Sequence, residues 1–134
     1  MKELTLNEYQ LRAMDTCMAS SRNLSYMLLN LVGEVGEFSS KIAKSIRKGE
    51  ITIGGEAAVG VIENHPVVND DTAYHFMCEE LKKEAGDILW QLSGVCSVMG
   101  WRLEDIAQMN LDKLAARKAV GTIDGNGDGI IRDK

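Results

Sequence analysis

The sequence predicts an all-α protein, a bundle of four to five helices with a small β-hairpin or flap at about residues 50–71. Apolar residues recur at steps of three and four over long stretches, as they do on one face of an α-helix. A single proline and few aromatic residues favour long helices over a β-sandwich. With 134 residues, 45% hydrophobic and 26% charged, the chain is expected to form one globular domain spanning residues 1–134.

Charge, cysteine content and the absence of long apolar runs indicate which partners and which compartment to expect. The formal net charge of −5 argues against non-specific nucleic-acid binding, which needs a basic surface. Cys17, Cys78 and Cys96 are odd in number and show no C-x-x-C spacing, which favours reduced thiols in a cytoplasm. The sequence shows no signal peptide and no apolar run long enough to span a membrane. We therefore expect a cytoplasmic protein that binds neither nucleic acid nor membranes.

The first helix is predicted to begin near Thr5. Thr5 and Glu8 form a T-x-x-E capping box, in which each residue can bond to the backbone of the other. Tyr9, Ala13 and Cys17 then recur at steps of four and begin an apolar stripe.

The second helix carries the first of two acidic pairs. Asn23 or Ser25 can cap its start, and Gly49 ends it. Its apolar stripe consists of Leu24, Leu28, Leu31, Val35, Phe38 and Ile42. Glu34 and Glu37 share a face along one edge of this stripe, because a helix has 3.6 residues per turn. One such pair alone indicates little, since most helical glutamates are solvated.

The character of the sequence changes over residues 50–71. Ile51–Ile53, two glycines and then residues 57–62 have the pattern of a short hairpin. A structureless loop of this length would be unusual in a compact domain, so the segment forms either a hairpin or a flap over the site. His65 and His75 lack metal-site or triad spacing, and we expect both at the surface.

The third helix, predicted from about Thr72 to Met99, carries the second acidic pair. Its apolar stripe consists of Leu81, Ala85, Ile88 and Leu92. Glu84 and Asp87 lie along one edge of this stripe. Their position relative to the stripe is the same as that of Glu34 and Glu37 on the second helix. Two helices packed by these stripes would bring four carboxylates together, and protonation, basic partners or a hard divalent cation would relieve their repulsion. Glu80 shares the face and is a further oxygen donor, although a solvated carboxylate is the favoured interpretation.

Basic and amide side chains supply the complementary groups. On the fourth helix, about Leu103–Val120, Asn110, Lys113 and Arg117 step by three and four on an otherwise apolar stripe. Such inward polar groups need partners, either the acidic helices or the phosphate oxygens, ribose or base edge of a ligand.

Three lysines follow the first acidic pair on the second helix. Lys41, Lys44 and Lys48 are either counter-charges to the glutamates or contacts for outer phosphates. We favour a salt bridge for Lys48 and keep both interpretations for Lys41 and Lys44.

The glycine-rich tail, residues 121–134, contains D-x-N-x-D-G from Asp124, the opening of an EF-hand calcium loop. Lys134 comes one position before the bidentate glutamate that such a loop requires. We therefore expect a turn that lies across a neighbouring subunit, and no calcium site.

Together these motifs resemble the MazG-like all-α nucleoside triphosphate pyrophosphohydrolases, over residues 24–128. The resemblance rests on E-x-x-E, E-x-x-D, N-x-x-K-x-x-x-R and the glycine tail, in that order. It implies a helical bundle assembled as a homodimer or homotetramer, with Mg²⁺, or Mn²⁺ as a substitute, as cofactor. It also implies cleavage of a nucleoside or deoxynucleoside triphosphate between the α- and β-phosphates, giving a monophosphate and pyrophosphate.

The resemblance also implies roles for individual residues. The four carboxylates that would bind metal and act in catalysis are Glu34, Glu37, Glu84 and Asp87. A carboxylate not fully engaged by metal would orient or deprotonate the attacking water. The substrate contacts would come from Asn110, Lys113 and Arg117, with Lys41 and Lys44 as further candidates.

Two departures from the family pattern concern loop geometry and one arginine. The acidic pairs are further apart in sequence than is usual in the family, and the additional residues are the 50–71 segment. The arginine that the family has soon after the glycine tail would have to be Arg132, which is displaced along the chain.

Two alternative functions stay open. One is a phosphoribosyl-ATP pyrophosphohydrolase, since related bundles use similar acidic pairs. The other is a non-catalytic helical oligomer that binds a nucleotide or protein, which the presence of all four acidic positions disfavours.

Overall fold

The computed structural model describes residues 1–53, 59–61 and 71–122, and side chains within residues 1–51 and 77–122. The described helices and strands, in chain order, are α1 (Leu6–Met14), α2 (Leu24–Arg47), β1 (Ile51–Ile53), β2 (Val59–Val61), α3 (Asp71–Val98) and α4 (Leu103–Ala119). A 3-10 turn at Ala19–Ser21 connects α1 to α2. The predicted all-α bundle is confirmed. Among the described residues, no helix is long and apolar enough to cross a membrane.

The predicted hairpin is confirmed as well. β1 and β2 pair antiparallel, with Ile51 opposite Val61 and Ile53 opposite Val59. The expectations for His65, for the calcium-like motif and for Arg132 lie outside the described residues, as do the side chain of His75 and the tail from residue 123 onward.

Local side-chain bonds fix the helix starts where the sequence places them. The backbone N–H of Glu8 donates to the Thr5 hydroxyl over 3.1 Å, and that of Tyr26 donates to the Asn23 side chain over 2.8 Å. These bonds satisfy N–H groups that have no partner within the helix. Gly49 follows α2 with a φ of 71°, a left-handed conformation that favours glycine.

The helices α2 and α3 form the main packing unit of the bundle. They run antiparallel, because Met27 near the start of α2 lies against Gly94 near the end of α3, while Lys41 reaches Glu80. Met27 is completely buried, and a Cβ at Gly94 would overlap its sulfur. The missing side chain at residue 94 therefore lets the two helices approach closely at this end.

The helix α1 packs across α3. The indole N–H of Trp90 donates to the carbonyl of Ala13 over 3.1 Å and to the Thr16 hydroxyl over 3.0 Å. The guanidinium of Arg22 donates to the Met14 carbonyl over 2.8 Å, at the end of α1. The Ala13 and Met14 carbonyls also accept from the backbone N–H groups of Thr16 and Cys17, so these side chains add further bonds at the end of α1.

The start of α4 is held by side chains of α1. The Gln10 side-chain carbonyl accepts from the backbone N–H of Leu103 over 2.7 Å, and the Asn7 side-chain carbonyl accepts from that of Glu104 over 3.3 Å. Arg102 occupies the N-cap position but makes no capping bond. The position of α4 is thus set by α1, at the end of α3 where Gly100 turns the chain.

The buried faces differ in part from the predicted stripes. On α2, Met27 is buried and Leu31 and Phe38 are half-buried, whereas Leu28 and Val35 are each 46% exposed. The apolar face of α2 is wider than the part that α3 covers. The residues at the edge of this face therefore remain at the surface. The buried side of α3 is largely polar, and its fully or nearly buried side chains include Glu84, Gln91, Ser93 and Cys96.

The three cysteines, Cys17, Cys78 and Cys96, carry free thiols, as predicted. Burial raises the pKa of the Cys96 thiol. A thiol in such surroundings is less readily ionised and behaves as a small apolar residue.

Candidate metal and nucleotide site

Three of the predicted carboxylates meet between α2 and α3. One ligand oxygen from each of Glu34, Glu84 and Asp87 lies within 4.8 Å of the others. We call this group the acidic cluster. The antiparallel packing of α2 and α3 brings Glu34 opposite Glu84 and Asp87, as the matching phase of the two acidic pairs predicts. Glu84 is only 8% exposed, Glu34 is half-buried and Asp87 is exposed.

Glu37, the fourth predicted carboxylate, lies outside this group of three and is exposed. A residue three positions along a helix is turned by about 60° from the first, which places Glu37 beside the covered strip. Its charge nevertheless contributes to raising the pKa of Glu34. Glu37 therefore belongs to the electrostatic surroundings of the acidic cluster.

Glu34 shows the mutual repulsion of the cluster most directly. Its pKa is raised above the ordinary value, first by burial and next by the negative charges of Asp87 and Glu37. The side-chain amide of Asn30 donates to Glu34 over 3.2 Å and opposes this rise. Negative charge at this place is therefore incompletely compensated, as expected of carboxylates that share one site.

Lys41 provides a positive charge within the protein. Its ammonium lies 2.6 Å from Oε1 of Glu84 and 3.2 Å from Oε2 of Glu80. Hydrogen bonds to Glu84 and then to Glu80 raise the pKa of Lys41. Lys83 donates to the other oxygen of Glu80 over 2.7 Å, and hydrogen bonds from Lys83 and Lys41 lower the pKa of Glu80. In this structure Lys41 thus serves as a counter-charge.

The remaining predicted basic residues of α2 are more exposed. Lys44 is exposed. Lys48 lies 3.8 Å from Glu50, so it forms a salt bridge as favoured, but with a carboxylate outside the acidic pair.

The predicted nucleotide contacts lie on α4. Asn110 and Lys113 are exposed and Arg117 is half-buried. Within the described part of the chain, α4 packs mainly on α1, and its contacts with α2 and α3 are minor. The structure of one chain therefore does not pack these three residues onto the acidic cluster.

Sequence reasoning missed two polar residues beside the cluster. Asn30 lies one helical turn before Glu34, a spacing of four that was a usable signal. Tyr9 on α1 was counted only as part of an apolar stripe, but burial and the charge of Asp87 raise the pKa of its phenol. No local pattern shows that the first helix lies beside Asp87.

The donor set of the cluster is suited to a hard divalent cation. Carboxylate oxygens are preferred ligands of Mg²⁺, which binds through a few carboxylates and keeps coordination positions for water and phosphates. Asp87 is exposed, so a ligand can reach the cluster from solvent. Three carboxylates converge beside the single charge of Lys41, so the excess of negative charge favours a cation here.

The fold and the site together define an all-α bundle with an acidic cluster between two antiparallel helices, an arrangement that could hold a divalent cation. The family model of the MazG nucleotide pyrophosphohydrolase domain matches residues 22–121, which include α2, the hairpin, α3 and α4. The chain belongs to this family, which confirms the resemblance drawn from the sequence motifs.

The chain is also similar to a phage protein. It is 32% identical over 127 residues to the Gene 37 protein of Mycobacterium phage L5, covering 90% of this chain and 94% of that protein. The name of that relative states no activity. No solved structure matches the chain.

Proposed function

We propose that this protein is a Mg²⁺-dependent hydrolase of nucleoside or deoxynucleoside triphosphates. It cleaves between the α- and β-phosphates and releases a nucleoside monophosphate and pyrophosphate. Family membership supports nucleotide pyrophosphohydrolase activity in general. The observation that carries the proposal is the convergence of Glu34, Glu84 and Asp87, with ligand oxygens within 4.8 Å of one another.

Glu34, Glu84 and Asp87 would hold Mg²⁺, or Mn²⁺ in its place, with Glu37 as the fourth carboxylate implied by the family. The bound ion would neutralise phosphate charge and make water a better nucleophile near neutral pH. A cluster carboxylate that is not fully engaged would orient the attacking water or accept its proton. Phosphoryl transfer requires mainly positioning and charge neutralisation, and this arrangement needs no serine, cysteine or histidine nucleophile.

Substrate contacts beyond the cluster come from basic and amide side chains. Lys41 and Lys44 follow the acidic pair along α2, and in this proposal they meet phosphate oxygens of the substrate. Asn110, Lys113 and Arg117 contact the nucleotide, and α4 of a neighbouring subunit supplies them in a homodimer or homotetramer. The weak packing of α4 on α2 and α3 within one chain supports this arrangement.

The test replaces each carboxylate by its amide, which keeps the volume and removes the charge. The four variants are Glu34→Gln, Glu37→Gln, Glu84→Gln and Asp87→Asn, and Glu79→Gln is the control on α3. Pyrophosphate release should fall by about 100-fold in each of the four, because phosphates and metal lose their positions. Glu79→Gln should retain activity near that of the unchanged protein, since Glu79 is exposed and pairs with Lys82. Equal activity in Glu37→Gln, Asp87→Asn and Glu79→Gln would overturn the proposed site.

Metal removal tests the cofactor separately. After exhaustive chelation, turnover of all common NTPs and dNTPs should be lost, and added Mg²⁺ or Mn²⁺ should restore it, because the ligands are hard oxygens. The same screen, read out as pyrophosphate, identifies the preferred base and sugar. Turnover that survives complete removal of divalent ions would contradict the proposal.

A further inference from the structure

Lys41 forms a salt bridge with Glu84, the most buried carboxylate in the acidic cluster. Its ammonium lies 2.6 Å from Oε1 of Glu84, and only 8% of Glu84 is exposed. A lysine ammonium and a divalent cation both seek carboxylate oxygens, and their like charges repel at short range. An ion bound by Glu84 must therefore compete with Lys41, either for the oxygen itself or against its charge.

Glu80 offers Lys41 a second carboxylate within the same reach. Oε2 of Glu80 lies 3.2 Å from the Lys41 ammonium, and Lys83 binds the other oxygen, Oε1. Both lysines therefore bind Glu80 at the same time in this structure. A lysine side chain has a flexible four-carbon stem, so Lys41 can release Glu84 and keep its bond to Glu80 without movement of the backbone. Glu80 lies one turn before Glu84 on α3, outside the acidic cluster.

We propose that Lys41 is a built-in counter-ion of the acidic cluster that releases Glu84 and keeps its bond to Glu80 when a divalent cation binds. In the metal-free protein it limits the repulsion around Glu84. In the metal-bound protein it is anchored by Glu80 beside the site, where its ammonium can meet a substrate phosphate. The inference rests on the metal site of the proposed function and assigns a positioning role to Glu80.

The experiment measures Mg²⁺ binding without nucleotide, by calorimetric titration of the full chain. Lys41→Met should bind Mg²⁺ about tenfold more tightly than the unchanged protein, in the range of coupling between neighbouring charged groups. Lys41→Arg keeps the charge and should bind Mg²⁺ weakly, like the unchanged protein. Lys82→Met is the matched control, because it removes an equal charge from the exposed pair with Glu79 and should leave Mg²⁺ affinity nearly unchanged.

A double-mutant cycle isolates the role of Glu80. Glu80→Gln should weaken Mg²⁺ binding, because Lys41 then keeps Glu84 as its remaining carboxylate partner. The same substitution in the Lys41→Met background should have a much smaller effect, since no lysine then competes for Glu84. Glu79→Gln controls for the loss of one negative charge on α3.

The outcomes separate this inference from the proposed function. If the unchanged protein binds Mg²⁺ but Lys41→Met binds it equally or more weakly, Lys41 orients Glu84 instead of competing, and the inference is overturned while the metal site stands. Equal effects of Glu80→Gln in both backgrounds also overturn it. If the unchanged protein binds no Mg²⁺, both proposals fail. Circular dichroism of each metal-free variant verifies that the helices are intact.

Discussion

At the scale of single residues, the raised pKa of Glu34 links the site to stability. Burial and the charges of Asp87 and Glu37 favour the protonated carboxyl in the folded protein. The folded state therefore binds a proton at Glu34 more readily than the unfolded chain does. The resulting stability is fully present below the ordinary pKa of 4.5 and is lost as pH rises through the higher pKa of the folded state.

We therefore expect Glu34→Gln to stabilise the metal-free protein increasingly as pH rises above 4.5. The amide removes the charge and keeps an oxygen that can accept from Asn30. Melting temperatures of the variant and the unchanged protein, measured with a chelator at pH values from 4.5 to neutral, check this. Glu79→Gln is the control, and a difference between Glu34→Gln and the unchanged protein that does not grow with pH would contradict the expectation.

At the scale of helices, Gly94 shows how closely α2 and α3 pack. Alanine there gains helix propensity of about 1 kcal/mol, but overpacking a core costs about 1–3 kcal/mol. Met27 is completely buried and lies where the new Cβ would be, so overpacking should prevail. Gly94→Ala should lower the free energy of unfolding by about 1 kcal/mol. Urea denaturation followed by circular dichroism measures it.

Gly86 on the same helix is the matched control for this substitution. A Cβ there would meet no atom within 4 Å. Gly86→Ala should therefore stabilise the protein by about 0.5–1 kcal/mol through helix propensity alone. If both alanine variants change stability in the same direction by the same amount, the close approach at Met27 is not a constraint.

The helix pattern could be predicted from sequence because its signals are local. The caps at Thr5 and Asn23 and the turn at Gly49 each involve residues a few positions apart, and the structure has them where expected. The covered strip of α2 was less predictable, since Leu28 and Val35 belong to its apolar pattern but remain exposed. Which edge is covered depends on a neighbouring helix.

For the acidic cluster, the meeting of carboxylates could be predicted from the sequence, but its contacts with other side chains could not. Matching acidic pairs indicated that carboxylates meet between two helices, and Glu34, Glu84 and Asp87 do. The pairing of Lys41 with Glu84 depends instead on the register between α2 and α3, which residue spacing within one helix does not contain. The proximity of α1 to the cluster depends on the path of the whole chain for the same reason.

At the scale of the whole molecule, α2 presents an apolar face to solvent. Leu29 and Val32 are 76% and 72% exposed, and Leu28 and Val35 lie on the same side. This face is turned about 160° from Glu34 around the helix, away from the acidic cluster. Exposed apolar surface of this kind is typical of protein interfaces. The observation supports the proposed homodimer or homotetramer.

We expect light scattering at micromolar concentration to give a mass that is two or four times the 14.7 kDa of one chain. Val32→Lys should shift the protein toward smaller species, because a charge buried in an interface without a partner is costly. Ser20→Lys, at an exposed polar position outside the α-helices, is the control and should leave the mass unchanged.

The same variant tests whether a neighbouring chain completes the site. If α4 of a second subunit supplies nucleotide contacts, dissociated Val32→Lys should lose pyrophosphate release while still binding Mg²⁺, since the acidic cluster belongs to one chain. Circular dichroism verifies that the variant is folded. A mass of one chain for the unchanged protein would end the oligomer proposal, and full activity of dissociated Val32→Lys would show that one chain holds the complete site.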